Sequence, residues 1–262
     1  MRDDYDSPWK KALDNYFPSF MQFFFIEAYN DIDWDKELVP MDTEFQSLIS
    51  STEVRTENRK VPDESNKQDD AAADAYVSAK DRTNGPIEQG DQTERRHADK
   101  LIRVTTKDDE QAYVLVHVEV QGQYEQTFEM RMYEYHRLIS QRYGDRVVSL
   151  AVLTDERANW RPDVYVYKLW GCELTFKFPS IKLIDYRKDW SELERSRNPF
   201  AMVVMVHLKT LETKGAAKAS ERKYWKLALI RRLYQQGFTK KQIPDIFLFI
   251  DWLMKLPLEL EQ

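Results

Sequence analysis

Asp99, Glu119 and Gln121 are the residues of this chain whose types and spacing suit chemistry on a charged substrate. Glu119 and Gln121 sit two apart in "VLVHVEVQGQ", Val114 to Gln123, which reads as a strand. Side chains two apart in a strand share a face. Val114, Val116, Val118 and Val120 therefore line one side, and His117, Glu119, Gln121 and Gln123 line the other. Buried carboxylates and amides need partners, so the polar row asks for an explanation. An earlier strand, "RRHADKLIRVTT", is joined to this one by the polar "KDDEQ", and the pair reads as a hairpin. Facing strands lie about 5 Å apart, which brings Asp99 beside Glu119 at the open end. Two adjacent carboxylates repel unless a cation sits between them. A few oxygen ligands completed by water suit Mg²⁺ or Mn²⁺. Such an ion can activate water and stabilise charge on a phosphoryl oxygen. The row is thus expected to be a metal-dependent hydrolytic site at the mouth of a covered sheet, with Asp99 and Glu119 as metal ligands.

Each residue also has a plainer reading. Asp99 suits a strand start or a turn. His117 is a proton relay or, more simply, a satisfied structural histidine. Arg131 and Tyr135, one helical turn apart, can reach a phosphate, or Arg131 can pair with Glu119 or with a neighbouring acid. Gln123 lies just past the strand, within reach of substrate. Asp42 and Glu44 are further candidate carboxylates from the N-terminal segment.

The elements that must position these groups follow from the rest of the sequence. The chain has 262 residues, enough for one large domain or two small ones. Its net charge of -6 leaves no overall basic bias, so any nucleic-acid binding needs a local patch. Between Lys209 and Lys241 basic residues outnumber Glu212 and Glu221, and a DNA-facing stripe or an ordinary solvated helix face both fit. The single cysteine, Cys172, excludes an internal disulfide framework and a cysteine-based zinc site and fits a reducing cytoplasm. No leader or spanning segment is read at the N-terminus, so a cytoplasmic protein with no membrane partner is expected.

Ser7 and Pro8 signal the start of a first helix, with a kink or break expected at Pro18. A second helical piece is expected in "MDTEFQSLI". Residues 51–94 are mixed-charge and nearly free of large apolar residues, the pattern of a disordered insertion. After the hairpin comes a helix with Phe128, Met132, Tyr135 and Ile139 on one face, closed by Gly144. "RVVSLAVLT" reads as a strand covered on both faces. Further strands are expected in "DVYVYKLWG", "CELTFKFPS" and "IKLIDY", with the tyrosines and tryptophans after Asp163 in the core. The remainder reads as helical. Asn198-Pro199 starts one helix and a Thr239–Gln242 capping box starts another. "LPLELEQ" stops in polar helical sequence, as a fragment of a longer chain would.

The fold class expected is α/β, a mixed central sheet flanked by helices. A core is read over 1–195, interrupted at 51–94, with a helical C-terminal extension over 196–262. The order of elements resembles the restriction-endonuclease-like core of PD-(D/E)XK nucleases. More closely, "ADKLIRV", "VLVHVEVQGQ", "FEMRMYEYHRLI" and "VVSLAVLTD" resemble the recombination-promoting nuclease/transposase family. The resemblance covers about Asp6 to Asp155 apart from the insertion, and the helical remainder fits the longer members. It implies that Asp99 and Glu119 match the motif carboxylates and hold the metal, and that Gln121 stands where many nucleases place a lysine. A glutamine amide can orient water or phosphate but brings no positive charge. The implied activity is Mg²⁺-dependent DNA endonuclease cleavage in the service of recombination, with DNA as partner and a homodimer allowed. The alternatives are the nuclease domain of a transposase and, from a different class, a catalytically silent nuclease-like binding or assembly module.

Overall fold

The computed structural model describes residues 8–57, 96–144 and 146–260. Ser7 and most of the expected insertion, 58–94, lie outside the described residues. The first helix, α1 (Pro8–Phe24), begins on Pro8 and buries Trp9, Leu13, Phe17, Phe20, Met21 and Phe24 along one stripe. Pro18 lacks the N–H its helix needs and crowds the carbonyl four residues back. The chain absorbs this at Tyr16, whose φ/ψ of -135°/30° is non-helical. A short α2 (Ile26–Asp31) and a two-residue strand, β1 (Val39–Pro40), lead into α3 (Asp42–Glu57), which continues past Ser51.

The expected hairpin is present as β2 (Arg96–Thr106) and β3 (Asp109–Gln121), antiparallel and turning at Lys107-Asp108. Helix α4 (Phe128–Tyr143) then crosses over to β4 (Val147–Leu153), which runs parallel to β3. Strands β5 (Val164–Leu169) and β6 (Cys172–Lys177) form a separate ribbon, and β7 (Ser180–Lys182) adds in parallel beside β4. The main sheet has the order β1-β2-β3-β4-β7. A 3₁₀ turn over Leu183–Asp189 leads to α5 (Trp190–Arg195), α6 (Pro199–Glu212), α7 (Ala219–Gln235) and α8 (Gln242–Leu253). The class is therefore mixed α/β with a mixed sheet flanked by helices, as expected. No helix among the described residues is long and apolar enough to cross a membrane.

Both faces of β3 are buried, and differently. Val116, Val118 and Val120 share one core with Ile102, Val104, Leu150 and Val152 and with the apolar stripes of α1, α6, α7 and α8. On the opposite face Leu101 and Leu115 meet Phe45 of α3 and Tyr135 and Ile139 of α4. Helix α6 is buried from Pro199 through Leu208, apolar on all sides because helices and sheet surround it. The segment after residue 196 thus fills the core that the N-terminal helix also enters. Its start is fixed as expected: the Asn198 side chain accepts from the Phe200 N–H at 2.9 Å, with Pro199 in the first turn. The Thr239–Gln242 box is reciprocal, with Thr239 N donating to Gln242 Oε1 at 2.9 Å and Gln242 N to Thr239 Oγ1 at 3.2 Å.

Some expectations fail. Residues 51–57, read as the start of a disordered insertion, form the last turns of α3, and "IKLIDY" is strand only as far as Lys182 before it winds into the 3₁₀ turn. The aromatic run after Asp163 is not core: Val164, Val166, Tyr167 and Leu169 are exposed, and Trp170 at the ribbon's turn is 96% exposed. The ribbon touches the body along one edge, where Tyr165 stacks on Tyr133 and Phe176 packs on Tyr133 and His136. Period-two alternation signals a strand, yet it does not say that a second layer exists to cover it. The two-residue turn needs positive φ at both centres, found at Trp170 (49°) and Gly171 (84°).

Because α6 is central, Phe200→Ala is expected to destabilise the protein by about 3–5 kcal/mol, measured by chemical denaturation. A chain truncated before residue 197 is expected not to fold cooperatively.

Candidate functional site

The hairpin register sets Asp99 directly opposite Glu119, the juxtaposition read from the sequence. Asp99 is placed here by its backbone register. Glu119 and Gln121 are fully buried and stand on the face covered by α3 and α4. What keeps them there is Arg131, one turn into α4. Its Nη2 donates to Glu119 Oε1 and, at 2.9 Å, to Gln121 Oε1, and its Nη1 donates to Glu125 Oε2. The Gln121 amide closes the ring, with Nε2 donating to the Gln123 carbonyl at 2.8 Å and to Glu125 Oε2 at 3.3 Å. One guanidinium thus answers two carboxylates and orients an amide. Charge-assisted, forked bonds of this kind are the strong ones.

The other Glu119 oxygen, Oε2, is buried and accepts no hydrogen bond from the described residues. His117 Nε2 lies 3.7 Å from it. His117 is fully buried, with Nδ1 3.3 Å from Ser149 Oγ and its ring edge-on to Phe45 and Tyr135. His136 Nδ1 reaches the same hydroxyl at 3.2 Å. The polar row therefore continues as a chain from Glu119 through His117 and Ser149 to half-buried His136.

Of the remaining candidates, Tyr135 is buried with its ring edge-on to Phe45 and His117. Gln123 is exposed beyond the strand end and lines a pocket of about 410 Å³. Asp42 is brought to the sheet for a different purpose. Together with Asp14 it binds the buried Lys100 ammonium, and its Oδ1 accepts from the Leu101 N–H at 3.0 Å. Glu44 is exposed in the first turn of α3. The basic residues of the C-terminal helices are largely occupied. Lys209, Lys226 and Arg232 pair with Glu212, Asp251 and Glu194, and Lys214 pairs with Glu156. Arg222 donates to the carbonyls of Thr213, Gly215 and Lys255.

Two groups escaped the sequence reading. Glu125 precedes α4, so no helical period ties it to Arg131 six residues later. The second is a buried ion pair between Asp155 and Lys182 at the ends of β4 and β7, with Lys182 also donating to the Trp160 carbonyl at 3.1 Å. Burial pushes the Lys182 ammonium below its usual pKa, with Asp155 opposing that shift. A lone lysine in the apolar "IKLIDY" was the available signal, since a buried ammonium needs an acid. In the first turn of α4, burial raises the Glu129 carboxyl above its ordinary value, aided by the charges of Asp163 and Glu125.

Among the described residues no group of three or more His, Cys, Asp or Glu could hold a metal ion. Comparison of the chain with protein-family models, with curated proteins and with solved structures found no match to any of them.

Removing the guanidinium leaves a buried carboxylate without its cation. Arg131→Gln is therefore expected to cost about 3–5 kcal/mol, read by urea denaturation at neutral pH. Arg131→Lys is expected to cost less, because the charge is kept and only the fork is lost.

Proposed function

We propose that the chain is a metal-dependent endonuclease that hydrolyses phosphodiester bonds of DNA at the Asp99–Glu119–Gln121 row. The observation that carries this reading is the register pairing of Asp99 with Glu119, together with a buried Glu119 oxygen that accepts no hydrogen bond from the described residues. The element order lends support. Antiparallel β1-β2-β3, then α4, then parallel β4 is the sequence of elements expected for a PD-(D/E)XK core of the recombination-promoting nuclease kind.

The residues fit a hard divalent ion such as Mg²⁺ or Mn²⁺, which needs one or two carboxylates and takes its other ligands from water and phosphate. Glu119 would hold it through Oε2, with Asp99 from the facing strand. Such an ion would polarise a phosphoryl oxygen and lower the pKa of a bound water. The chain's own groups do the rest. Arg131 holds Glu119 by its Oε1 and fixes Gln121 by its Oε1. It also puts a positive charge beside the row, where Gln121 brings none. Gln121 in turn ties the row to the Gln123 carbonyl and to Glu125. Gln123 is exposed at the strand end and would meet the substrate backbone there.

A second reading, a catalytically silent nuclease-like binding or assembly module, has one observation in its favour. Arg131 already neutralises Glu119 within the protein.

The two readings separate on supercoiled plasmid incubated with Mg²⁺, Mn²⁺ or chelator. The nuclease reading expects metal-dependent nicking by wild type, none by Asp99→Ala or Glu119→Ala, and a loss on the order of 10²-fold for Gln121→Ala. Nicking at the wild-type rate by Asp99→Ala, or none by folded wild type with either ion, contradicts it.

A further inference from the structure

The pocket at the ends of β3 and β4 has its own construction. Strands β3, β4 and β7 run parallel, and ligands of open α/β sheets sit outside the carboxyl ends of such strands. The pocket lies there, at about 410 Å³, within the roughly 300–1,000 Å³ typical of small-molecule sites. Among its lining residues, Thr154 donates its N–H to the Gln121 carbonyl at 2.9 Å, and His207 Nε2 lies 2.5 Å from the Thr154 carbonyl. Its rim is an aromatic ring under a guanidinium. Tyr124 is 45% exposed, and the Arg157 guanidinium carbon lies 4.5 Å from its ring centroid.

Both rim residues are held in place. Trp160 meets the Tyr124 ring edge-on at 5.6 Å. The Arg157 N–H is bound by Asp155 Oδ1 at 2.8 Å, and Asp155 is itself pinned by Lys182. The Arg157 guanidinium forms no ion pair with a carboxylate among the described residues and remains available to an incoming anion. The Gln121 amide connects this rim to the polar row through the Gln123 carbonyl.

We infer that this pocket seats an unpaired nucleotide of a single-stranded nucleic acid, its base stacked on Tyr124 and its phosphate paired with Arg157. An exposed ring suits any base, because every base has a π-face. A guanidinium fork matches a phosphate in shape and charge. The identity of the ligand rests on the phosphodiester reading of the neighbouring row, whereas the seat itself involves neither Glu119 nor a metal.

The test is fluorescence anisotropy of a short labelled single strand, in DNA and RNA arms, with the full chain in chelator. Wild type is expected to bind single strands more tightly than a duplex of the same length. Tyr124→Ala and Arg157→Gln are each expected to weaken binding about tenfold or more, with Tyr124→Phe close to wild type. Arg157→Gln should also lower the salt dependence by about one phosphate contact. Both side chains are exposed, and circular dichroism checks that the variants fold. Absence of single-strand binding by wild type, a preference for duplex, or variants that bind like wild type overturns the seat. Binding that depends on Tyr124 and Arg157 without any plasmid nicking keeps the seat and removes the hydrolytic reading. Nicking with unaffected Tyr124 and Arg157 variants does the reverse.

Discussion

A carboxylate buried in the middle of a sheet is costly unless a positive charge is brought to it, and in this protein that charge comes from Arg131. Much of the local architecture follows from this requirement. Helix α4 must run along β3 so that its first turns face Glu119 and Gln121, and the crossover to β4 must be parallel for that helix to lie on the sheet. Glu125 then occupies the guanidinium's second nitrogen, and Gln121 fills the gap between the two acids. The opposite face of β3 carries only valines into the large core, so the strand is anchored by apolar packing on one side and by charge balance on the other.

The same principle recurs at two other places. Lys100 enters the sheet with Asp14 and Asp42, and Lys182 with Asp155. Each buried charge ties separate elements together: α1 and α3 to β2 in the first case, β7 to the loop after β4 in the second. Breaking one partner of such a pair is costly because the other is left in a low-dielectric interior. These pairs therefore specify which elements meet, even where their net contribution to stability is small.

Much of this was legible in the sequence, for local reasons. The hairpin, the Asp99–Glu119 pairing, the buried face of α4 and the caps at Asn198 and Thr239 all follow from periodicity and turn chemistry acting over a few residues. What was not legible depends on which surfaces meet. Asp42 looked like a spare carboxylate for the site, and only the folded chain shows it committed to Lys100. The aromatic strands after Asp163 looked like core, yet Val166, Tyr167, Leu169 and Trp170 are exposed. The C-terminal basic residues fitted either a DNA-facing stripe or a solvated helix face, and only the folded chain shows that Lys209, Lys214, Lys226 and Arg232 have acidic partners. Pairings between distant residues leave no trace in local spacing.

The central claim is that Glu119 carries out two tasks, one oxygen serving Arg131 and the other serving a divalent cation shared with Asp99. Calorimetric titration of Mn²⁺ into wild type and Glu119→Ala tests it most directly, because the readout is binding and does not depend on turnover. The account predicts a saturable heat for wild type that disappears in the folded variant. Equal binding by both proteins, or no binding by folded wild type, would contradict it.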